Sequence, residues 1–257
     1  MSELSNDWKP TRIATEPTFD RFVATFRDGV KVSALLSKQG PTPLNADYYF
    51  RADNVIAELK ALESDPTEPF SLFERVSASL KHFGFSDDYL LGWLFRGEPL
   101  PERAAKHLNG KIKRPIVKAI EHANKQIKQT KVSLGKPDAA GILLVANDNN
   151  YGFDAIQMAA LISEILLKLN ESHIDGFVYF SPNVYHSDPN HPGIAMNPWV
   201  PLYKEGSENL ADFVNPMGRA WGDFFEQFGT SYLHRSESDE YNKILGLKPI
   251  QKFKPGR

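Results

Sequence analysis

The sequence predicts an α/β (α+β) protein with a mixed β-sheet flanked by helices, and three observations carry that prediction. "GILLVAND" (141–148) is a continuous apolar run of the kind that forms a strand buried on both faces. A strongly apolar helical segment, "DAIQMAALISEILLKLN" (154–170), follows it, and then a second apolar strand, "IDGFVYFSPN" (174–183). Upstream, two short runs around "RADN" read as a hairpin, with strands at 47–51 and 54–62. The predicted order is helix, hairpin, helix, strand, helix, strand, which packs as a sheet with helices on its faces.

Taken in order, residues 1–17 are polar and read as a loose arm. Phe19, Phe22, Val23, Phe26 and Val30 recur with a helical period across 18–36, with Gly29 as a break or an end. "KQGPTPLN" is a loop, and the hairpin follows. Residues 65–108 are helical but punctuated by "GF", "RGEPLP" and "HLNG", so they read as an insertion of two or three short helices. A helix is predicted over 111–130. Asp154 stands where it can cap the helix that follows 141–148. Residues 184–203 are rich in Pro and Asn and read as a loop. A helix bent near Pro216 covers 208–229, and a basic tail ends the chain. The organisation expected is one domain over 1–257. Its core is 18–64 and 109–183, with an insertion at 65–108 and a C-terminal extension at 184–257.

Composition narrows the function classes. The 257 residues are 41% hydrophobic, enough for one sizeable core. There is no cysteine, which excludes disulfides and thiolate metal sites. No secretory h-region opens the chain and no apolar run is long enough to span a membrane, so a cytoplasmic protein without a membrane partner is expected. The net charge is -2, so a nucleic-acid surface needs a local concentration of positive charge. One exists: Arg103 to Lys131 contains nine Lys or Arg and a single acid, Glu121.

The hairpin carries the chemistry. With Ala52 and Asp53 at the turn, Phe50 pairs with Val55, Tyr49 with Ile56, Tyr48 with Ala57, and Asp47 next with Glu58. Directly opposed side chains have Cβ atoms about 4.5–5.5 Å apart, and two like charges there destabilise the sheet. A divalent cation between them reverses the sign of that interaction, and carboxylate oxygens are natural Mg²⁺ ligands. Strand alternation puts Ile56, Glu58 and Lys60 on one face and Val55, Ala57, Leu59 and Ala61 on the other, toward a core. Lys60 therefore stands beside both acids, where an ammonium can orient a water or neutralise phosphate charge. These are the parts needed to hydrolyse a phosphodiester. A turn one residue longer would slip the register and put Asp47 on the wrong face.

"ADY" at 46–48 and "AELK" at 57–60 make the sequence resemble the PD-(D/E)xK nuclease superfamily, over roughly residues 18–183. The resemblance implies a restriction-endonuclease-like core and a metal-dependent nuclease acting on DNA. It makes Asp47 and Glu58 the metal ligands, Lys60 the catalytic lysine, and Mg²⁺ the cofactor, with Mn²⁺ as a substitute. Ala46 stands where the motif usually has proline. Many members add an acid from the first helix, and Glu16, Asp20 and Asp28 compete for that place. The helix after the acid-x-lysine strand often adds polar residues, for which Lys125 and Gln126 are the candidates.

On 111–130 the residues Lys111, Arg114, Lys118, His122 and Lys125 recur at steps of three and four and form one stripe. Ile112, Ile116, Ile120, Ala123 and Ile127 form another, facing the sheet. The basic stripe is the expected nucleic-acid backbone contact. Two other function classes stay open: a non-catalytic nucleic-acid-binding or interaction protein on the same fold, and a metal hydrolase using His186, Asp188 and His191. Asn147 and Asp148 in "NDNNYG" either line a ligand site after a buried strand or turn the chain. His173 and the aromatics Trp93, Trp199, Trp221, Phe224 and Phe225 read as structural. A homodimer or larger complex is left open.

Overall fold

The computed structural model describes residues 12–36, 44–65, 77, 81, 83–96, 99, 101–188, 191–228, 235–238 and 245–250. The expected basic tail and most of residues 65–82 lie outside them.

The first helix, α1 (Thr15–Val23), buries Phe19, Phe22 and Val23 at helical spacing. It starts before residue 18, and Ile13 is already buried, so residues 12–17 are not a loose arm. The helix does not continue to residue 36 either. Arg27 and Asp28 adopt left-handed φ angles of 44° and 52°, and the chain turns into an edge strand, β1 (Gly29–Lys31), followed by α2 (Val32–Leu36). Gly29 permits the close approach that follows: a Cβ there would lie 2.6 Å from the Val23 carbonyl oxygen and 2.8 Å from Phe50 Cε1. What reads as a helix breaker is the point where backbone passes beneath α1.

The hairpin forms in the predicted register. In β2 (Tyr48–Phe50) and β3 (Val55–Leu62), Tyr48 pairs with Ala57, Tyr49 with Ile56 and Phe50 with Val55. Residues 51–54 form the turn, which is wider than the predicted pair at its tip. Asn54 takes φ 53°, a left-handed conformation that asparagine tolerates. Next come α3 (Asp87–Arg96) and the long α4 (Glu102–Ser133). Since α4 runs unbroken through "HLNG", the expected boundary between residues 108 and 109 falls inside one helix.

The rest of the core is β4 (Ala140–Asn147), α5 (Ala155–Leu167) and β5 (Gly176–Phe180). Asp154 caps α5 in a reciprocal box with Gln157. The segment expected as a loop over 184–203 is instead β6 (His186–Asp188), β7 (His191–Met196) and β8 (Trp199–Tyr203). Alternation is weak in these short strands, and their pairing supplies what local sequence does not. A one-turn 3₁₀ segment leads into α6 (Ala211–Phe225), which carries Pro216, and β9 (Lys248–Pro249) closes the described chain.

Six strands form one sheet in the order β1-β2-β3-β4-β5-β8. The centre, β3-β4-β5, is parallel; β1, β2 and β8 are antiparallel to their neighbours, so the sheet is mixed. A second sheet has the order β7-β6-β9. Helices cover both faces of the main sheet. On one, α4 (Ile116, Ile120, Ala123, Ile127) and α5 (Met158, Ile162) pack on Ile56, Leu143, Val145 and Tyr179. On the other, α1 and α6 pack on Ala57, Leu59, Leu144 and Phe180, with Trp221 of α6 lying 5.1 Å from Phe19 and 5.4 Å from Phe22 between ring centres. Both faces of β3 are therefore core, and the Glu58 face is roofed by α4. Trp221 and Phe225 are buried, and Trp199 and Phe224 are partly so, as their structural reading expected. The side chain of Trp93 lies outside the described residues. No described helix is long and apolar enough to cross a membrane.

Candidate functional site

The site lies where β2 begins and β3 runs on past it. The ladder stops at Tyr48, one residue before the predicted Asp47–Glu58 pair. The two acids still meet. The Asp47 backbone N–H donates to Glu58 Oε2 at 3.1 Å, and Asp47 Oδ2 accepts from the Leu59 N–H at 2.9 Å. The Asp47 carboxylate thus takes the place of a missing ladder acceptor on β3, which holds it against that strand. Lys60 Nζ forms an ion pair with Glu58 Oε1 and donates to Gln126 Oε1 at 2.9 Å. Gln126, on α4, donates in turn to the Asn45 carbonyl at 2.9 Å.

Burial makes this cluster electrostatically tense. Glu58 is 1% exposed. Desolvation first, and then the Asp47 charge, push its carboxyl up to about 8, against the opposing pull of Lys60. Asp47 is also raised, chiefly by burial, while its Leu59 hydrogen bond and Lys60 work the other way. Without a cation the pair retains a proton near neutrality, the mark of two acids short of positive charge.

Among the three acids that competed on the first helix and its turn, Glu16 and Asp20 both act on Asp47 through their charge. The Glu16 carboxyl is raised by partial burial and then by Asp47 and Glu63, with Lys60 opposing. Asp20 is taken by Lys31 at 2.7 Å and by the Tyr48 hydroxyl at 3.1 Å, and Asp28 lies 3.9 Å from Arg51. Glu16 also lines a cleft of about 270 Å³ with Arg12, Thr15, Glu63 and Asp148, beside the C-terminal ends of β3 and β4. In parallel α/β sheets that is the customary end for ligands.

No three His, Asp or Glu side chains converge as a metal-holding group among the described residues. The Asp47 and Glu58 carboxylates are oxygen donors of the type that a hard cation such as Mg²⁺ takes, alongside waters and phosphate oxygens.

Other expected residues fall elsewhere. Lys125 is exposed and turns away from Lys60, so of the two helix candidates only Gln126 reaches the site. Arg114, Lys118, His122 and Lys125 are exposed along α4, and Lys111 is half-buried. Their neighbours on other sides of the helix are neutralised: Lys113 by Glu164 at 3.1 Å, Lys128 by Glu171 at 2.7 Å and Lys131 by Asp175 at 3.6 Å. Asp148 is a clasp for the segment before α1, with Oδ1 accepting from Thr15 Oγ1 at 2.8 Å and Oδ2 from Arg12 at 3.2 Å. Asn147 is buried and bonds Tyr179 and the Asn150 carbonyl. His186 is buried in β6, and desolvation pushes its imidazole down to about 4. Asp188 pairs with His191 in the β6–β7 ladder, so these residues belong to a hairpin rather than a loop. His173 is tied by its backbone N–H to Asn124 at 2.7 Å.

Sequence reasoning missed Thr130, whose Oγ1 accepts from the Ala46 N–H at 2.7 Å. A hydroxyl four residues after Gln126 on the same helix face was the available signal. Comparison with known proteins finds no matching family model, no matching curated protein and no matching solved structure.

Proposed function

We propose that the protein is a Mg²⁺-dependent nuclease, with Mn²⁺ as a working substitute, that hydrolyses phosphodiester bonds in DNA. One observation carries the reading: Asp47 and Glu58, on neighbouring chain segments, press two carboxyls together beside the Lys60 ammonium. A helix, an antiparallel strand pair, a long helix, a parallel strand, a helix and a further parallel strand occur in that order, which supports a restriction-endonuclease-like core.

Asp47 and Glu58 would hold the cation. When bound, it would supply Lewis acidity toward a phosphoryl oxygen and acidify an attacking water. Lys60, its side chain 22% exposed, places its ammonium at the rim, where charge would build on the phosphate. Gln126 fixes that ammonium by accepting a hydrogen bond from it. Glu16 adds negative charge on the cleft side of the pair. The exposed stripe on α4 positions the nucleic-acid backbone through phosphate contacts, without reading sequence.

Cleavage of supercoiled plasmid DNA with Mg²⁺, and with EDTA, tests the reading on wild type and Lys60→Ala. Loss of the lysine is expected to slow cleavage by roughly 10²–10³, the usual cost of removing one charge-stabilising donor. Equal cleavage by both proteins would remove the assignment. Salt-dependent DNA binding with no turnover under either condition would replace it with a non-catalytic binding protein.

A further inference from the structure

We propose that Thr130 and Gln126, one turn apart on α4, act as a two-point clamp that places Asp47 for cation binding. This rests on the metal site proposed above. Thr130 is fully buried, and its hydroxyl oxygen accepts from the Ala46 N–H at 2.7 Å. Gln126 is nearly buried, and its Nε2 donates to the Asn45 carbonyl at 2.9 Å. Residues four apart on a helix share a face, so one rigid surface grips two consecutive residues just before Asp47.

The need for such a grip follows from the sheet. β2 has three residues, and its ladder with β3 ends at Tyr48. Asp47 lies one residue past both ladders: its carbonyl accepts from the Val32 N–H at 2.9 Å and its carboxylate from the Leu59 N–H, while the Asn45–Ala46 backbone before it lies outside the sheet. Ala46 presents an N–H at this point, and Thr130 captures it, which tethers the segment to the helix. Gln126 adds a second function, because its Oε1 accepts from Lys60 Nζ at 2.9 Å. One side chain thus fixes both the approach to Asp47 and the ammonium opposite it. Thr130 and Gln126 are positioning residues; neither is placed to touch a reacting atom.

The test uses the full chain with Thr130→Val, Thr130→Ser and Gln126→Met. Two quantities are read: amide hydrogen exchange at Ala46 and Asp47 in metal-free protein, and affinity for Mn²⁺ alone by titration calorimetry. Thr130→Val keeps the shape and removes the acceptor. It is expected to speed exchange at both amides by roughly tenfold or more, and to weaken Mn²⁺ binding by roughly 10–100-fold, as losses of outer-shell partners do. Thr130→Ser restores the acceptor and should return both toward wild type. Gln126→Met should weaken Mn²⁺ binding with Thr130 intact, which keeps the clamp testable if Thr130→Val does not fold. A Thr130→Val protein with a lowered melting temperature but unchanged exchange at Asp47 and unchanged Mn²⁺ affinity would overturn the clamp and leave the metal site standing. Wild-type protein that takes up no Mn²⁺ would overturn the metal site itself, and the clamp as a device for it.

Discussion

The Glu58 carboxyl makes a stability prediction that needs no substrate. In the metal-free protein its pKa rises from an ordinary 4.5 to about 8. A raised carboxyl pKa means that the folded protein binds this proton more tightly than the unfolded chain does. Its stabilisation is therefore full below pH 4.5 and is lost as pH climbs through about 8. His186 works in the opposite sense: its imidazole falls from 6.5 to about 4, so its stabilisation is present above pH 6.5 and lost as pH falls. The two oppose each other below pH 6.5, and above it Glu58 dominates. At 1.36 kcal/mol per pH unit as the ceiling, wild type should lose on the order of 1–2 kcal/mol between pH 6.5 and 8. Glu58→Gln keeps the shape and carries no charge to desolvate. Its stability should be nearly flat over the same window. Urea unfolding in EDTA, followed by circular dichroism at several pH values, measures both slopes. Adding Mg²⁺ at pH 8 should restore wild type and leave Glu58→Gln unmoved, because a ligand stabilises only the fold that binds it. A flat wild-type profile, or a Glu58→Gln slope as steep as wild type, would refute the electrostatic argument.

Two further outcomes test the scaffold and the surface. Gly141→Ala at the start of β4 should destabilise the protein by roughly 2–4 kcal/mol in the same unfolding assay. The added Cβ would overlap the His173 carbonyl and lie 2.8 Å from Ile127 Cγ2, and backbone there has little room to yield. Arg114→Glu with Lys118→Glu should weaken duplex DNA binding and lower the salt dependence of the binding constant by roughly one log–log unit for each phosphate that is no longer neutralised, read by fluorescence anisotropy. An unchanged salt slope would take the stripe out of the binding surface.

Much of the core was legible because its signals are local. The apolar run at 141–148, the capped apolar helix that begins after Asp154 and the alternation of β3 each specify an element without outside help. The hairpin register was legible too, since a slip by one residue would exchange Ile56 and Glu58 for Val55 and Ala57 on each face. Elements that depend on distant partners were not. β1 looked like the continuation of a helix because Val30 keeps the helical period, and its strand character comes from pairing with β2. β6, β7 and β8 lie among prolines and asparagines, and their strand character comes from pairing with each other, with β5 and with β9.

The chain alone carries which residue types could do chemistry at the hairpin, and the order in which the strands and helices of the core follow one another. Residue spacing along a strand or helix dictates which side chains share a face, and spacing is written in the chain. Folding in three dimensions was needed to roof Glu58 with α4 rather than leave it solvated, and to bring Gln126 and not Lys125 to Lys60. The same holds for Glu16 as a helix acid whose charge bears on Asp47, and for Thr130 as the residue that holds Ala46. Those outcomes depend on how far around its axis a helix is turned and how two layers meet, and such distances are set by packing between segments far apart in the chain.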